Sequence, residues 1–115
     1  MGPLEEHYER GLACKVAGDY DGAVAEFQSL LSVDPCNAQA HRQLGLVYGF
    51  MGLFDESIEQ LLLAVNLDAK DMNARNDLAL TYAMLGMMEE AQTEFQAVLS
   101  SDPDNDVAKK NLAYF

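Results

Sequence analysis

Between Ala38 and Met51 the apolar residues Ala38, Leu44, Val47, Tyr48 and Met51 recur largely at three- and four-residue intervals. That spacing gathers them on one face and predicts an amphipathic α-helix. Asn37 stands just before the stripe, where its side-chain oxygen can accept a free backbone N–H as an N-cap. Gly52 stands just after it, where a left-handed C-cap suits a residue without a Cβ. A second stripe follows in Ile58, Leu61, Leu62 and Val65, with Asp55 as its expected N-cap. Residues 38–71 therefore read as two helices of about 13 residues joined by a turn of three or four.

The same pattern returns every 34 residues. Asn37, Asp71 and Asn105 keep that step, as do Gly11, Gly45 and Ala79, and Gly18, Gly52 and Gly86. So do Ala23, Ser57 and Ala91, then Phe27, Leu61 and Phe95, then Pro35, Ala69 and Pro103. A fixed period of this size means a solenoid, in which each unit buries its apolar face against its neighbours. The units run over about 4–37, 38–71 and 72–105, and 106–115 starts a further helix, with Leu112 one period after Leu78. Asp21 is expected to start the second helix of the first unit, and Pro35 and Pro103 lie just past second helices. Gly11 and Gly45 fall mid-helix, a placement that costs about 1 kcal/mol each against alanine. That cost suggests close approach of a partner helix, on which Ala23, Ser57 and Ala91 are the small facing residues. Met88, equivalent to Tyr20 and Phe54, is expected in the core.

The middle unit carries His41, Leu44, Gly45 and Tyr48, then Ser57 and Leu61, with Ala69 at the proline place. The third carries Arg75, Leu78, Ala79 and Tyr82, then Ala91, Phe95 and Pro103. The first carries His7, Arg10, Gly11 and Cys14, then Ala23, Phe27 and Pro35. This resembles the tetratricopeptide repeat family, whose pattern is Trp-x-x-Leu-Gly-x-x-Tyr, then Ala-x-x-x-Phe, then Pro. No unit holds the tryptophan. The resemblance implies an all-α, right-handed α-α superhelix of three helix-turn-helix repeats with a short terminal helix, one domain over residues 1–115. It also implies that the first helix of each unit lines a concave groove.

Residues one period apart then form columns along that groove. One is Leu12, Leu46, Leu80 and Tyr114; a second is Tyr8, Arg42, Asn76 and Lys110. A third is Glu5, Gln39, Asn73 and Val107, and a fourth Lys15, Gly49 and Ala83. The expected peptide-binding residues are Tyr8, Leu12, Lys15, Gln39, Arg42, Leu46, Gly49, Asn73, Asn76, Leu80 and Lys110. They give an apolar floor flanked by amides able to pair with a peptide backbone, and by cations that suit a carboxylate. Some family members hold the C-terminal carboxylate of chaperones in a clamp of Lys and Asn. The matching places here are Tyr8, Leu12, Gln43, Asn73 and Asp77; four of the five differ in kind, and Asp77 repels a carboxylate.

Charge and chemistry narrow the reading further. Nineteen acidic and seven basic residues give a net charge of −12, which argues against a nucleic-acid surface and against anionic membranes. Half of the residues are hydrophobic, enough for a core. No apolar run approaches the roughly 20 residues of a membrane span, and the N-terminus shows no signal-peptide pattern, so a cytoplasmic setting is expected. His7 and His41 occupy equivalent places without converging ligands, and no metal or cofactor is expected. Glu5–Glu6, Asp55–Glu56 and Glu89–Glu90 fall where helices begin and favour the dipole. Cys14 is expected to be a buried thiol and Cys36 an exposed one, both reduced. The last helix is expected to bury Leu112 and Ala108 while leaving Phe95, Val98, Leu99, Tyr114 and Phe115 under-covered. The chain thus reads as a non-catalytic scaffold for a protein or peptide. The alternative is a structural, self-assembling protein, with weak homodimers formed through the C-terminal end.

Overall fold

The repeat pattern becomes seven helices in a computed structural model that describes residues 2–115. They are α1 (Pro3–Ala17), α2 (Tyr20–Val33), α3 (Ala38–Phe50), α4 (Phe54–Leu67), α5 (Met72–Met84), α6 (Met88–Ser101) and α7 (Asp106–Leu112). The fold is all-α: helices α1–α2, α3–α4 and α5–α6 form antiparallel pairs that stack in sequence, and α7 packs on α6. The body is elongated, 41 × 26 × 20 Å. No helix among the described residues is long and apolar enough to cross a membrane.

Helices α3, α5 and α7 each start at a side-chain cap, whereas α1 starts behind Gly2 without one. Asn37 accepts from the Ala40 N–H at 2.9 Å, Asp71 from Asn73 and Ala74, and Asn105 from Ala108. Each first helix within a pair ends at a glycine in the left-handed region: Gly18, Gly52 and Gly86 have φ of 81°, 78° and 78°. The next residue then bonds back, Asp19 to Cys14, Leu53 to Tyr48 and Met87 to Tyr82, each at 2.9 Å. That turn sends the chain directly into the second helix.

The second helices begin one residue earlier than Asp21, expected as a start, and ahead of Asp55, expected as a cap. Helix α2 begins at Tyr20, and its cap is Asp19, which accepts from Gly22 N–H at 3.0 Å. Helix α4 begins at Phe54 behind Leu53, with no side-chain cap. Asp21, Asp55 and Glu56 lie inside the first turn and act on the helix dipole instead.

The interhelical glycines have the packing role inferred for them. A Cβ on Gly11 would fall 2.6 Å from the Phe27 ring, and one on Gly45 would fall 2.9 Å from Leu61 Cγ. Ala23, Ser57 and Ala91, at equivalent places on the second helices, are fully buried. The core is three clusters that each cross a junction between helix pairs or to α7. Ala23 and Phe27 meet Leu44 and Val47; Leu61, Ala64 and Val65 meet Ala74 and Leu78; Ala79, Phe95 and Val98 meet Ala108. Stability is therefore shared between neighbours, as expected of stacked repeats.

Four expectations about burial need correction. Leu62 is exposed, because the α4 stripe follows Leu61, Ala64 and Val65. Met88 is about half exposed. Its equivalent Tyr20 is covered by Phe50 of the following first helix, with ring centroids 5.7 Å apart. Helix α7 stops at Leu112, short of the place equivalent to Phe50. Phe95 and Val98 are fully buried, since Ala108 and Leu112 of α7 close over them and the Phe115 ring sits 6.4 Å from Phe95. Cys14 is half-buried, and both cysteines are free thiols. Burial nevertheless raises the Cys14 thiol pKa, with Asp19 and Glu26 adding to the rise.

Candidate functional site

Helices α1 and α3 touch, and so do α3 and α5, so the first helices form the inner side of the stack. Their inner faces change character along their length. Near the N-terminal ends lie Glu5, Gln39 and Asn73, all exposed. Gln39 Nε2 donates to Asp71 Oδ2 at 3.2 Å. Tyr8 is half-buried with its ring edge-on to Phe27, and it lines a cleft of about 400 Å³ with Leu4, Glu5, Glu9 and Gln39.

Further along, side chains bridge one repeat to the next. Lys15 Nζ donates to Gln43 Oε1 at 2.6 Å, joining α1 to α3. Arg42 Nε donates to Asp77 Oδ2 at 2.6 Å, joining α3 to α5. Asn76 Nδ2 donates to Asn105 Oδ1 at 3.0 Å, joining α5 to the cap of α7. Burial lowers the Lys15 pKa, and the nearby Arg42 charge lowers it further. Burial also pushes the Asp77 carboxyl above its usual range, although the Arg42 contact pulls the other way. Arg42 is thus a paired charge, and Asn76 is buried with its Nδ2 donating to Asn105 while its Oδ1 has no partner among the described residues. Neither is the free inner-face group expected from its column, because Asp77 and Asn105, 35 and 29 residues further on, reach back.

Toward the C-terminal ends the face turns apolar. Leu12 and Leu46 are half-buried and Leu80 is more open. Leu46, Gly49 and Leu80 line a second cleft of about 240 Å³ between α3 and α5, with Phe50, Phe54, Ser57, Asp77, Thr81 and Met84. Lys110 is exposed on α7, and Tyr114, beyond that helix and 89% exposed, does not continue the leucine column. Val16, Phe50 and Met84 form an apolar column missed in the sequence reading; they are 85%, 59% and 68% exposed. Their step of 34 residues, with an apolar residue each time, was the signal that could have found them.

The histidines belong to the scaffold. His41 Nε2–H donates to the Pro35 carbonyl at 2.8 Å, and its Nδ1 lies 2.8 Å from the Gln60 amide. His7 Nδ1 lies 2.8 Å from Glu26, whose carboxyl is held below its usual range chiefly by that hydrogen bond.

Comparison with known proteins agrees with the helix pairs. The profile described as "TPR repeat" matches residues 11–52, and "Tetratricopeptide repeat" matches 38–71 and 73–105. The chain belongs to the tetratricopeptide repeat family. No curated protein matches it. Among solved structures it is similar to the first such domain of Spaghetti (RPAP3) bound to the HSP90 peptide SRMEEVD. The TM-score there is 0.90, with 23% identity over 96% of this chain and 88% of that one. It is also similar to the second domain of human RPAP3 in complex with the HSP70 peptide SGPTIEEVD, with a TM-score of 0.89 and 23% identity over 98% and 97%. The Sgt2 domain from Aspergillus fumigatus gives 0.90 at 19% identity, over 99% and 77%.

Proposed function

We propose that this chain is a non-catalytic scaffold that holds a protein or peptide segment along the inner face of α1, α3 and α5. The carrying observation is the run of exposed apolar side chains on helices whose other faces are packed: Val16, Phe50, Leu80 and Met84. Such surface on a small domain marks a contact. Tyr8, Leu12, Lys15, Gln39, Leu46, Gly49 and Asn73 complete the surface, with Lys110 at its far edge. Arg42 and Asn76 contribute by fixing the spacing of the repeats. The peptides bound to the two RPAP3 domains support peptide binding as a use of this fold. An acid-tailed peptide is not the expected ligand, since Asp77 stands in the groove and Tyr8, Leu12 and Gln43 replace the clamp.

A random peptide library displayed against the chain tests this reading. Selected peptides are expected to shift the amide resonances of α1, α3 and α5. Selection of no binders, or shifts confined to α2, α4 and α6, would place the site elsewhere.

A second reading, self-assembly through the C-terminal end, is favoured by exposed Met88, Tyr114 and Phe115 around a cavity of about 280 Å³. Light scattering without ligand separates it from the first, because only self-assembly raises the mass.

A further inference from the structure

Two unfavourable features meet at the cleft between α3 and α5. Gly49 sits inside a helix, where glycine is poor. It has no packing reason to be there: a Cβ would meet only Ser57 Oγ, at an ordinary 3.5 Å, whereas Gly11 and Gly45 are forced by contacts below 3 Å. Its equivalents are Lys15, which reaches across to Gln43, and Ala83. Glycine at 49 therefore leaves open what Lys15 fills one repeat earlier. The second feature is Ser57. It is 1% exposed, lines the same cleft, and its hydroxyl has no hydrogen-bond partner. Its equivalents are Ala23 and Ala91, so packing does not call for the hydroxyl.

The remaining lining describes an occupant. Leu46, Phe50, Phe54, Leu80 and Met84 are apolar, while Ser57 and Asp77 supply oxygen acceptors. Arg42 occupies Asp77 Oδ2, and no hydrogen bond among the described residues reaches Oδ1. The volume suits one side chain and no run of residues. The larger cleft beside Tyr8 differs, being bordered by Glu5, Glu9, Asn37 and Gln39. We propose that the α3–α5 cleft is a subsite for one donor-tipped aromatic side chain, tyrosine or tryptophan, of a bound peptide. Its ring lies between Phe50, Leu80 and Met84, and its O–H or N–H donates to Ser57 Oγ or Asp77 Oδ1. This rests on the groove reading and adds the residue class that the groove selects.

The test uses p-cresol and toluene as probes on the full chain, read through the six methionine methyl resonances. p-Cresol should shift Met84 saturably while Met72 stays still. It should bind roughly 2- to 10-fold more tightly than toluene, the range expected of one net hydrogen bond. Ser57→Ala, which installs the residue of Ala23 and Ala91, should shrink that preference. Gly49→Leu should abolish the Met84 response; Gly49→Ala, compatible with the local space, should weaken it and raise the melting temperature. The proposal is overturned by the absence of a saturable Met84 shift, by equal affinity for toluene, or by unchanged p-cresol binding in Gly49→Ala. None of those results touches the groove reading, which stands or falls on where library peptides bind.

Discussion

Gly45 and Gly49 lie one turn apart on α3, and replacing each with alanine should move stability in opposite directions. Both substitutions gain about 1 kcal/mol of helix propensity. At Gly49 nothing opposes the gain, since the new Cβ meets only Ser57 Oγ at 3.5 Å. At Gly45 the Cβ arrives 2.9 Å from Leu61 Cγ and 3.2 Å from the Ser57 carbonyl oxygen. Leu61 is fully buried, and the near atom is its branch point, so neither neighbour gives way easily. Overpacking of this kind costs about 1–3 kcal/mol. The net loss for Gly45→Ala is then up to about 2 kcal/mol. A chain of this size shifts by about 4 °C per kcal/mol, so Gly49→Ala should melt near 4 °C above the parent and Gly45→Ala up to about 8 °C below it. Thermal melts followed by circular dichroism at 222 nm and neutral pH read both. If Gly45→Ala melted at or above Gly49→Ala, the distinction between a glycine forced by packing and one left for an open cleft would collapse.

Three further outcomes are expected. In a carboxyl NMR titration, Asp77 should titrate above the roughly 3.9 of an ordinary aspartate, and Arg42→Ala should raise it further by removing the opposing charge. Because the folded value is raised, the protonated form favours folding: that contribution is complete below about pH 3.9 and lost as pH climbs through the folded midpoint. His41→Leu should lower stability in urea by about 1–3 kcal/mol, since the Pro35 carbonyl and the Gln60 amide lose their partner. Phe115→Ser with Leu99→Gln should reduce any concentration-dependent mass seen by light scattering at millimolar chain; a parent that stays monomeric there removes the self-assembly reading.

What could be read from the sequence was whatever a single unit decides. The caps at Asn37, Asp71 and Asn105, the left-handed glycines and the Gly45–Ser57 approach all depend on residues within or beside one helix pair. The 34-residue step then copies them. The helix starts at Asp21 and Asp55 were misplaced because the turn after each glycine launches the next helix at once, so the cap falls on the residue directly after the glycine, Asp19 or Leu53. The pairing of Arg42 and Asn76 was hidden for another reason. Their partners, Asp77 and Asn105, lie 35 and 29 residues further on, and a column of equivalent positions says nothing about diagonal contacts between columns. Met88 was taken for core by analogy with Tyr20, yet coverage at that place comes from the following first helix, and α7 is too short to give it.

The bridges Lys15–Gln43, Arg42–Asp77 and Asn76–Asn105 follow one another along the stack. Elements coupled in series carry the same force when the two ends are pulled, so an applied tension is not divided among them. Extension then begins at the rung that yields first. The Asn76–Asn105 contact is the one with no ionic group, and it holds a helix of only seven residues. Under load from its ends, the protein should lengthen by shedding α7 first, while the α1–α3 and α3–α5 junctions keep the inner face at its resting curvature.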